Sequence, residues 1–318
     1  MRVILAAVLT ITVYITAVSS GNLIAEEAGK LSGKAYFEYL NPDNSTDDVT
    51  QFRFTRYYFT YDYNISDKIK IRYRLDADRK ADDKMRPFMK HAYISWAELI
   101  PDAKLYIGMQ MTPNWTSYSE KYWGYRSVEK TIQDLSGVGS SADLGVGLVG
   151  DFSNSVGYHL IYANGAGYTK PEKDDHKKTS GLIWFKPRSK FIGTLYLDYE
   201  PTGVQYSNST ITLFGGYDSD RFRAGIEYFA HKEGGEKDLI MNGISLFATL
   251  KMAAGNAFAR YDISDPDTDT KGNGEDYVII GYDYAPEKKF HILPNARMRK
   301  VGDGVWEKSI HVNFEFRF

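Results

Sequence analysis

The segment KIKIRYRLDAD, residues 68–78, carries the charged residues with the clearest chemical potential. Arg72, Arg74, Asp76 and Asp78 alternate with apolar residues there, and alternate side chains of a β-strand point to the same face. A guanidinium group binds carboxylate or phosphate through paired hydrogen bonds, so a face with two arginines predicts attraction of anions. The alternative is that Asp76 and Asp78 pair with the arginines and that this face is merely hydrated.

The same alternation recurs along almost the whole chain and predicts about sixteen strands. Most of them have eight to twelve residues, close to the 9–11 or so that a tilted transmembrane strand needs. Strands of soluble proteins are shorter, typically about five or six residues. The predicted strands lie near residues 33–40, 51–63, 68–79, 89–98, 103–112, 140–151, 156–164, 180–187, 190–200, 209–218, 221–231, 240–252, 256–263, 276–284, 289–299 and 308–318.

The connections between these strands alternate between short turns and longer polar segments. Short turns such as NISD, SNS and DSD are built from turn-forming residues, whereas NPDNSTDDVT and SDPDTDTKGNGED are long and polar. An up-and-down barrel in an outer membrane has short connections at one rim and long ones at the other. The sequence therefore predicts an all-β, antiparallel transmembrane barrel of about sixteen strands.

The last strand ends in IHVNFEFRF, residues 310–318. Ile310, Val312, Phe314, Phe316 and Phe318 share one face, which we expect to contact the bilayer, and polar residues occupy the other face. Backbone groups in lipid must be satisfied internally, so this strand is predicted to pair with the first strand and close the barrel.

The amino terminus, MRVILAAVLTITVYITAVSSGN, has the layout of a secretory signal peptide. Arg2 precedes an apolar stretch that is shorter than the ~20 residues of a membrane-spanning helix, and small residues follow it. We expect residues 1–20 to be the signal peptide, with cleavage between Ser19 and Ala25, and residues 21–318 to form the barrel. The alternative is a single membrane anchor.

The alternate polar residues of each strand predict which charged side chains face the lumen. Arg56 shares the inward face of the strand before Arg72 and Arg74, and strands lie about 4.8 Å apart, so the three predict a compact cationic patch. The residues predicted to line the pore or its constriction are Arg56, Arg72, Arg74, Asp76, Asp78, Arg126, Lys130, Arg297 and Arg299.

Several stretches resemble the bacterial outer-membrane porin superfamily, which includes general diffusion porins and phosphate-selective porins. RYYFTYDYNISDKIKIRYRLDAD, KLYIGMQMTP, SADLGVGLVGD and YANGAG carry this resemblance, which covers most of residues 50–170. It implies a water-filled channel and a homotrimer. The aromatic end, with Phe314, Phe316 and Phe318, resembles the signal that barrel-assembly machinery reads. The lysine cluster of phosphate-selective members has only Lys121 and Lys130 as counterparts in the third outward loop.

That third loop, residues 114–139, is the longest connection and mixes Trp123, Tyr125, Val128 and Ile132 with charged residues. In general porins the third loop folds inward and narrows the pore, and the resemblance implies the same here. Exposing so many apolar side chains to water would also be costly. The alternative is a surface loop that covers a trimer contact or forms an extracellular epitope.

Composition argues against several other functions. Cysteine is absent, which excludes disulfides and thiolate metal sites, and a net charge of −2 suggests no nucleic-acid partner. Asp265, Asp267 and Asp269 have the spacing of a calcium loop, but Thr270 stands where that loop needs glycine, so a solvated loop is expected. We expect no cofactor and no metal.

The leading hypothesis is therefore an outer-membrane channel for passive diffusion of small hydrophilic solutes, with a preference for anions, and not an enzyme. One alternative is a barrel enzyme of the phospholipase or protease type, for which His159 and Ser180 are the available residues without a recognisable motif. The other is a structural or adhesive barrel, whose lumen would be packed and apolar.

Overall fold

A computed structural model describes residues 29–42, 49–79 and 85–318, except for the side chains of residues 78, 79 and 85. The expected signal peptide and its cleavage site lie outside the described residues. The strands are β1 (Lys30–Pro42), β2 (Gln51–Asn64), β3 (Ile69–Arg79), β4 (Met85–Ala97), β5 (Ala103–Met111), β6 (Ala142–Ser153), β7 (Val156–Ala163), β8 (Lys178–Arg188), β9 (Phe191–Pro201), β10 (Ser207–Asp218), β11 (Phe222–Glu233), β12 (Leu239–Met252), β13 (Gly255–Asp265), β14 (Glu275–Glu287), β15 (Phe290–Val301) and β16 (Glu307–Arg317).

These sixteen strands form one closed antiparallel barrel in which each strand pairs with its neighbours in the chain and β1 pairs with β16. Beyond β16, the backbone N–H of Phe318 donates to the Gly33 carbonyl at 3.1 Å, and Gly33 returns a hydrogen bond of the same length. Glycine at position 33 also leaves room for the Phe318 ring, which a side chain there would meet. Closure satisfies the strand backbones without an edge, as a membrane requires. The predicted fold class is confirmed.

The two faces of the sheet have opposite character. On β16 the outward Ile310 is 59% exposed, whereas the inward Asn313 is 1% exposed. On the outer face of the barrel, the Phe316 ring stacks on the Phe290 ring of β15, with 4.6 Å between ring centroids. Across the β1–β16 seam it meets the Phe37 ring edge-on, with 5.9 Å between centroids. An apolar outer surface with polar side chains inside is the reverse of a soluble protein and is typical of a barrel that faces lipid.

The connections define two rims. The connections at one end, which we call the loop rim, include the third loop. The connections at the other end, which we call the turn rim, are residues 65–68, 98–102, 154–155, 189–190, 219–221, 253–254 and 288–289. Among the described connections the predicted alternation has three exceptions, because the loop-rim connections 202–206, 234–238 and 302–306 are only as long as the turn-rim connection 98–102. Within the described residues, no helix is long and apolar enough to cross a membrane.

The third loop spans residues 112–141 and contains two short helices, α1 (Ser119–Trp123) and α2 (Ile132–Leu135). It descends into the barrel, where α1 packs against β10 and β11 and α2 packs against β12. The predicted inward fold of the third loop is confirmed. The loop divides the interior unequally, leaving more space on the side of β1 to β4 than on the side of β12 to β15.

Candidate pore and constriction

An aromatic core holds the third loop inside the barrel. Trp123 is fully buried, and its ring lies 5.7 Å from Phe247 and 5.8 Å from Phe258, both of which point inward from the wall. The Arg260 guanidinium lies 5.2 Å from the Trp123 ring centroid, which adds a cation–π contact. The apolar side chains of the third loop, which would be costly in water, are thus buried against the lumen wall.

Polar contacts fix the loop at the same place. The Glu129 carboxylate accepts from Tyr277 at 2.9 Å and from Arg297 at 3.3 Å. The Asn313 amide donates to the Ser127 carbonyl at 2.9 Å, and Arg260 donates to the Lys130 carbonyl. Because these bonds come from β13 to β16, one side of the loop is attached to a broad part of the wall.

Glu38 on β1 connects this attachment to the barrel seam. It is 2% exposed and accepts hydrogen bonds from Arg297 at 2.7 Å and from His311 Nδ1 at 2.6 Å, and it pairs with Arg53 at 2.5 Å. Buried charges are tolerated when they are paired and hydrogen-bonded in this way. Arg297, predicted as a pore residue, lies on the luminal wall but clamps Glu38 to Glu129 of the third loop.

The larger interior space is a cavity of about 1020 Å³ between the third loop and the opposite wall. Its lining extends from Lys34 and Arg317 near the turn rim to Lys170 and Glu233 at the loop rim, so it reaches both ends of the barrel. The charged lining residues are Lys34, Arg56, Arg74, Lys90, Lys121, Arg126, Lys130, Lys170, Lys178 and Arg317 against Glu120, Asp134, Glu200, Glu233 and Glu315. Among the described residues, basic groups thus outnumber acidic groups by two to one.

Charge pairing on the wall differs from what the sequence suggested. Asp76 approaches Arg56 at 3.3 Å and Lys90 at 3.4 Å on the neighbouring strands, not the arginines of its own strand. Arg72 forms two hydrogen bonds with Asp62 of β2, at 2.6 and 2.9 Å. The pairing of Asp76 with Arg72 or Arg74 that the sequence suggested is therefore wrong, because both carboxylates pair with residues of neighbouring strands.

Arg74 is the exception on this wall. Its Nε donates to the Thr60 hydroxyl at 2.8 Å, and its guanidinium lies 5.4 Å from the Tyr58 ring centroid. No described carboxylate forms a salt bridge with it. Arg74 therefore brings an uncompensated positive charge to the lining of the larger cavity.

The third loop brings its own charges to the opposite side of this cavity. Arg126 approaches Glu120 and Asp134, each at 3.2 Å, and Lys130 lies 3.8 Å from Asp134. Burial disfavours the charged guanidinium of Arg126 while Asp134 stabilises it, and the net result is a raised pKa of Arg126. The structure thus brings Arg126 and Lys130 to the same cavity as Arg56 and Arg74.

Arg299, another predicted pore residue, lies outside the larger cavity. Arg299 pairs with Glu275 at 2.5 Å beside a second cavity of about 520 Å³ on the other side of the third loop. The side chain of Asp78 lies outside the described residues. Neither residue is therefore grouped with the arginines of the larger cavity.

Sequence reasoning missed Lys90 and His91. A register shift in the β3–β4 pairing beside Arg74 and Leu75 turns these two consecutive side chains inward, where they are 6% and 1% exposed. Lys90 lies 5.1 Å from the Tyr58 ring and 5.0 Å from the Tyr168 ring. A strict alternation places only one of two consecutive residues inside, so the pattern itself held no signal for this β-bulge.

Two other groups of residues considered from the sequence lie outside the larger cavity. His159 and Ser180 lie on the adjacent strands β7 and β8, and their register pairs His159 with Leu182 instead. In the Asp265–Asp269 loop, Asp267 accepts from the Thr270 hydroxyl at 2.6 Å, and Asp269 lies 3.6 Å from Lys237. Among the described residues, no group of three or more His, Cys, Asp or Glu is placed to hold a metal ion.

Comparison with known proteins identifies the fold. The sequence matches no protein-family model and no curated protein. The structure is similar to an anion-selective porin from Comamonas acidovorans, with a TM-score of 0.67 and 14% identity over 92% of this chain and 99% of that one. It is also similar to a loop L8 deletion mutant of OmpT, an outer membrane protein of Vibrio cholerae, with a TM-score of 0.67 and 13% identity over 92% and 100%.

Salmonella typhi OmpF in complex with daunomycin is similar as well, with a TM-score of 0.65 and 10% identity over 91% of this chain and 97% of that one. Structures with only 10–14% sequence identity thus share the fold of this chain over most of its length. The fold of this chain is that of the bacterial outer-membrane porins.

Proposed function

We propose that this protein is an outer-membrane porin, a water-filled channel for passive diffusion of small hydrophilic solutes that prefers anions. The observation that carries the proposal is the cavity that reaches both rims and is lined by twice as many basic as acidic side chains. Its long-loop rim faces outward and its turn rim faces the periplasm, as in other barrels of this kind.

The charge of the lining is the reason for the anion preference. A narrow water-filled passage with low-dielectric walls concentrates the field of its lining charges and raises the local concentration of oppositely charged solutes. Guanidinium and ammonium groups also replace part of the hydration shell that an anion loses on entry. Arg74 contributes most directly, because no described carboxylate neutralises it.

The comparisons support the proposal at the level of fold. One similar structure is an anion-selective porin, and another is the trimer form of Vibrio cholerae OmpT. We propose that this chain also assembles as a homotrimer, is recognised by the barrel-assembly machinery through Phe314, Phe316 and Phe318, and has no enzymatic activity. Anions and other small hydrophilic solutes are proposed to diffuse through it.

Reconstitution into planar bilayers tests this function. We expect discrete single-channel conductance steps in KCl, and a reversal potential under a KCl gradient whose sign corresponds to preferential chloride flow. A folded protein that gives no steps would overturn the channel, and a cation-selective reversal potential would overturn the anion preference. Crosslinking in native membranes checks the trimer.

A further inference from the structure

A hydroxyl group, an imidazole and a carboxylate lie in series at the β1–β16 seam. The Ser309 Oγ is 2.7 Å from His311 Nε2, and His311 Nδ1 is 2.6 Å from the Glu38 carboxylate. Ser309 and His311 are two residues apart on β16, so both side chains point into the lumen, and Glu38 belongs to the paired strand β1. The strand period and the closure of the barrel thus bring the three groups into line.

The hydrogen bond at Nδ1 determines what Nε2 can do. An ionised carboxylate only accepts hydrogen bonds, so Nδ1 of the neutral imidazole carries the proton and Nε2 presents its lone pair to the Ser309 hydroxyl. Arg53 and Arg297 hold the same carboxylate in place. A base within hydrogen-bond reach of a hydroxyl, and itself oriented by a third group, is the arrangement that activates serine as a nucleophile.

Ser309 is accessible to a solute. It is half-buried, whereas His311 and Glu38 are 4% and 2% exposed, and it lines the second cavity of about 520 Å³. That cavity lies at the loop-rim ends of β1, β13, β14 and β16. Its size is within the range of about 300–1,000 Å³ for small-molecule sites, and Ile132 and Met241 add apolar surface to its lining.

We propose that Ser309, His311 and Glu38 form a nucleophilic site that accepts the acyl group of an activated ester entering from the loop rim. Ser309 Oγ bonds to the ester carbonyl carbon while its proton passes to His311 Nε2. The bond from that carbon to the leaving oxygen breaks, and the leaving alcohol takes the electron pair and the proton from His311. Glu38 contacts no ester atom and acts as a positioning residue. The site goes beyond the proposed channel function and does not depend on it.

The reaction is a single covalent modification and not a turnover. β15 and β16 pair through their backbones at Arg297 and Ser309, so the N–H groups there lie in the sheet and do not point into the cavity. Hydrogen-bond donors aimed at a developing oxyanion contribute about 10²–10³ in rate each, and these backbones do not supply them. Only esters with a good leaving group therefore react, and the resulting serine ester persists.

Treatment of the folded barrel with p-nitrophenyl butyrate tests the site. We expect fragment mass spectra of the digested protein to locate a butyryl group on Ser309. His311→Gln, which can form hydrogen bonds but cannot take the proton, should slow this acylation by about 10²-fold or more. The matched control is Ser264, which lines the same cavity but has no hydrogen bond to a histidine among the described residues. Ser264 should stay unmodified, and Ser264→Ala should leave the rate at Ser309 unchanged.

The pH profile tests the role of Glu38. The charged groups that face His311 are Glu38 of β1, Arg53 of β2 and Arg297 of β15. Glu38→Gln removes the negative one of these, so the imidazolium forms less readily and the acylation profile should move to lower pH. An unchanged profile would remove Glu38 from the site.

A thiol substitution tests the site without altering a buried group. The chain has no cysteine, so Ser309→Cys and Ser264→Cys each introduce a single thiol. An adjacent imidazole favours the thiolate, so iodoacetamide at mildly acidic pH should alkylate Ser309→Cys about tenfold or more faster than Ser264→Cys. Equal alkylation of the two variants, or a butyryl group that is absent from Ser309 or equally present on Ser264, would overturn the site while the channel conductance stood.

Discussion

Replacing Arg74 with glutamine is the most direct perturbation of the proposed anion preference. The side chain lines the larger cavity and donates a hydrogen bond to the Thr60 hydroxyl at 2.8 Å. It has no carboxylate partner among the described residues. Glutamine keeps a polar side chain that can still donate to Thr60 but removes the charge. The variant therefore changes the field in the lumen without leaving a buried counter-ion unpaired.

The magnitude follows from Coulomb's law. Two unit charges about 4 Å apart interact by about 1 kcal/mol in bulk water and by about 4 kcal/mol at an effective dielectric constant of about 20. The lower value applies to a hydrated lumen and corresponds to about a fivefold change in the local anion concentration. The same substitution removes a repulsion from potassium. We therefore expect the chloride-to-potassium permeability ratio to fall by about fivefold or more in dilute salt.

The assay is the reversal potential of reconstituted channels under a KCl gradient. The difference between the wild type and Arg74→Gln should be largest near 0.1 M salt and should shrink at 1 M, where the screening length is only about 3 Å. The control is Arg72→Gln/Asp62→Asn, which removes a hydrogen-bonded pair and leaves the net luminal charge unaltered. Its permeability ratio should stay close to the wild-type value. An unaltered ratio in folded, conducting Arg74→Gln channels would refute the reasoning.

Three further predictions concern the third loop and the seam. Replacing Arg126 and Lys130 with glutamate should shift the reversal potential toward cations, and an unchanged potential would mean that the two residues lie outside the ion path. Trp123→Ala should cost about 3–5 kcal/mol of packing energy, and we expect a larger, noisier conductance and a lower temperature at which heating changes the mobility of the folded barrel on an SDS gel. A conductance and a transition temperature identical to those of the wild type would contradict the role of Trp123 in anchoring the third loop. Deleting Phe318 removes two backbone hydrogen bonds to Gly33 and should reduce the amount of folded barrel in the outer membrane, whereas normal levels would show that the rest of the seam suffices.

The architecture was predictable from the sequence because it follows from local properties. Alternation of apolar and polar residues determines which side of a strand faces lipid, and strand length determines whether it can cross the bilayer. The inward fold of the third loop was also predictable, because Trp123, Tyr125, Val128 and Ile132 need a buried environment, and all four are buried in the barrel.

The electrostatics of the lumen depended on the tertiary structure. The sequence suggested the arginines of the same strand as partners of Asp76, yet cross-strand register brings Asp76 to Arg56 and Lys90. Arg72 pairs with Asp62 instead. The charged atoms of an ion pair must lie within about 4 Å of each other. The strand register and the β4 bulge decide which residues, distant in the sequence, come that close. The sequence by itself therefore determined a barrel with a charged interior. Only the folded chain decided that Arg297 would hold the third loop and that Arg74 would have no carboxylate partner among the described residues, because those outcomes depend on which strands are neighbours and where each one shifts.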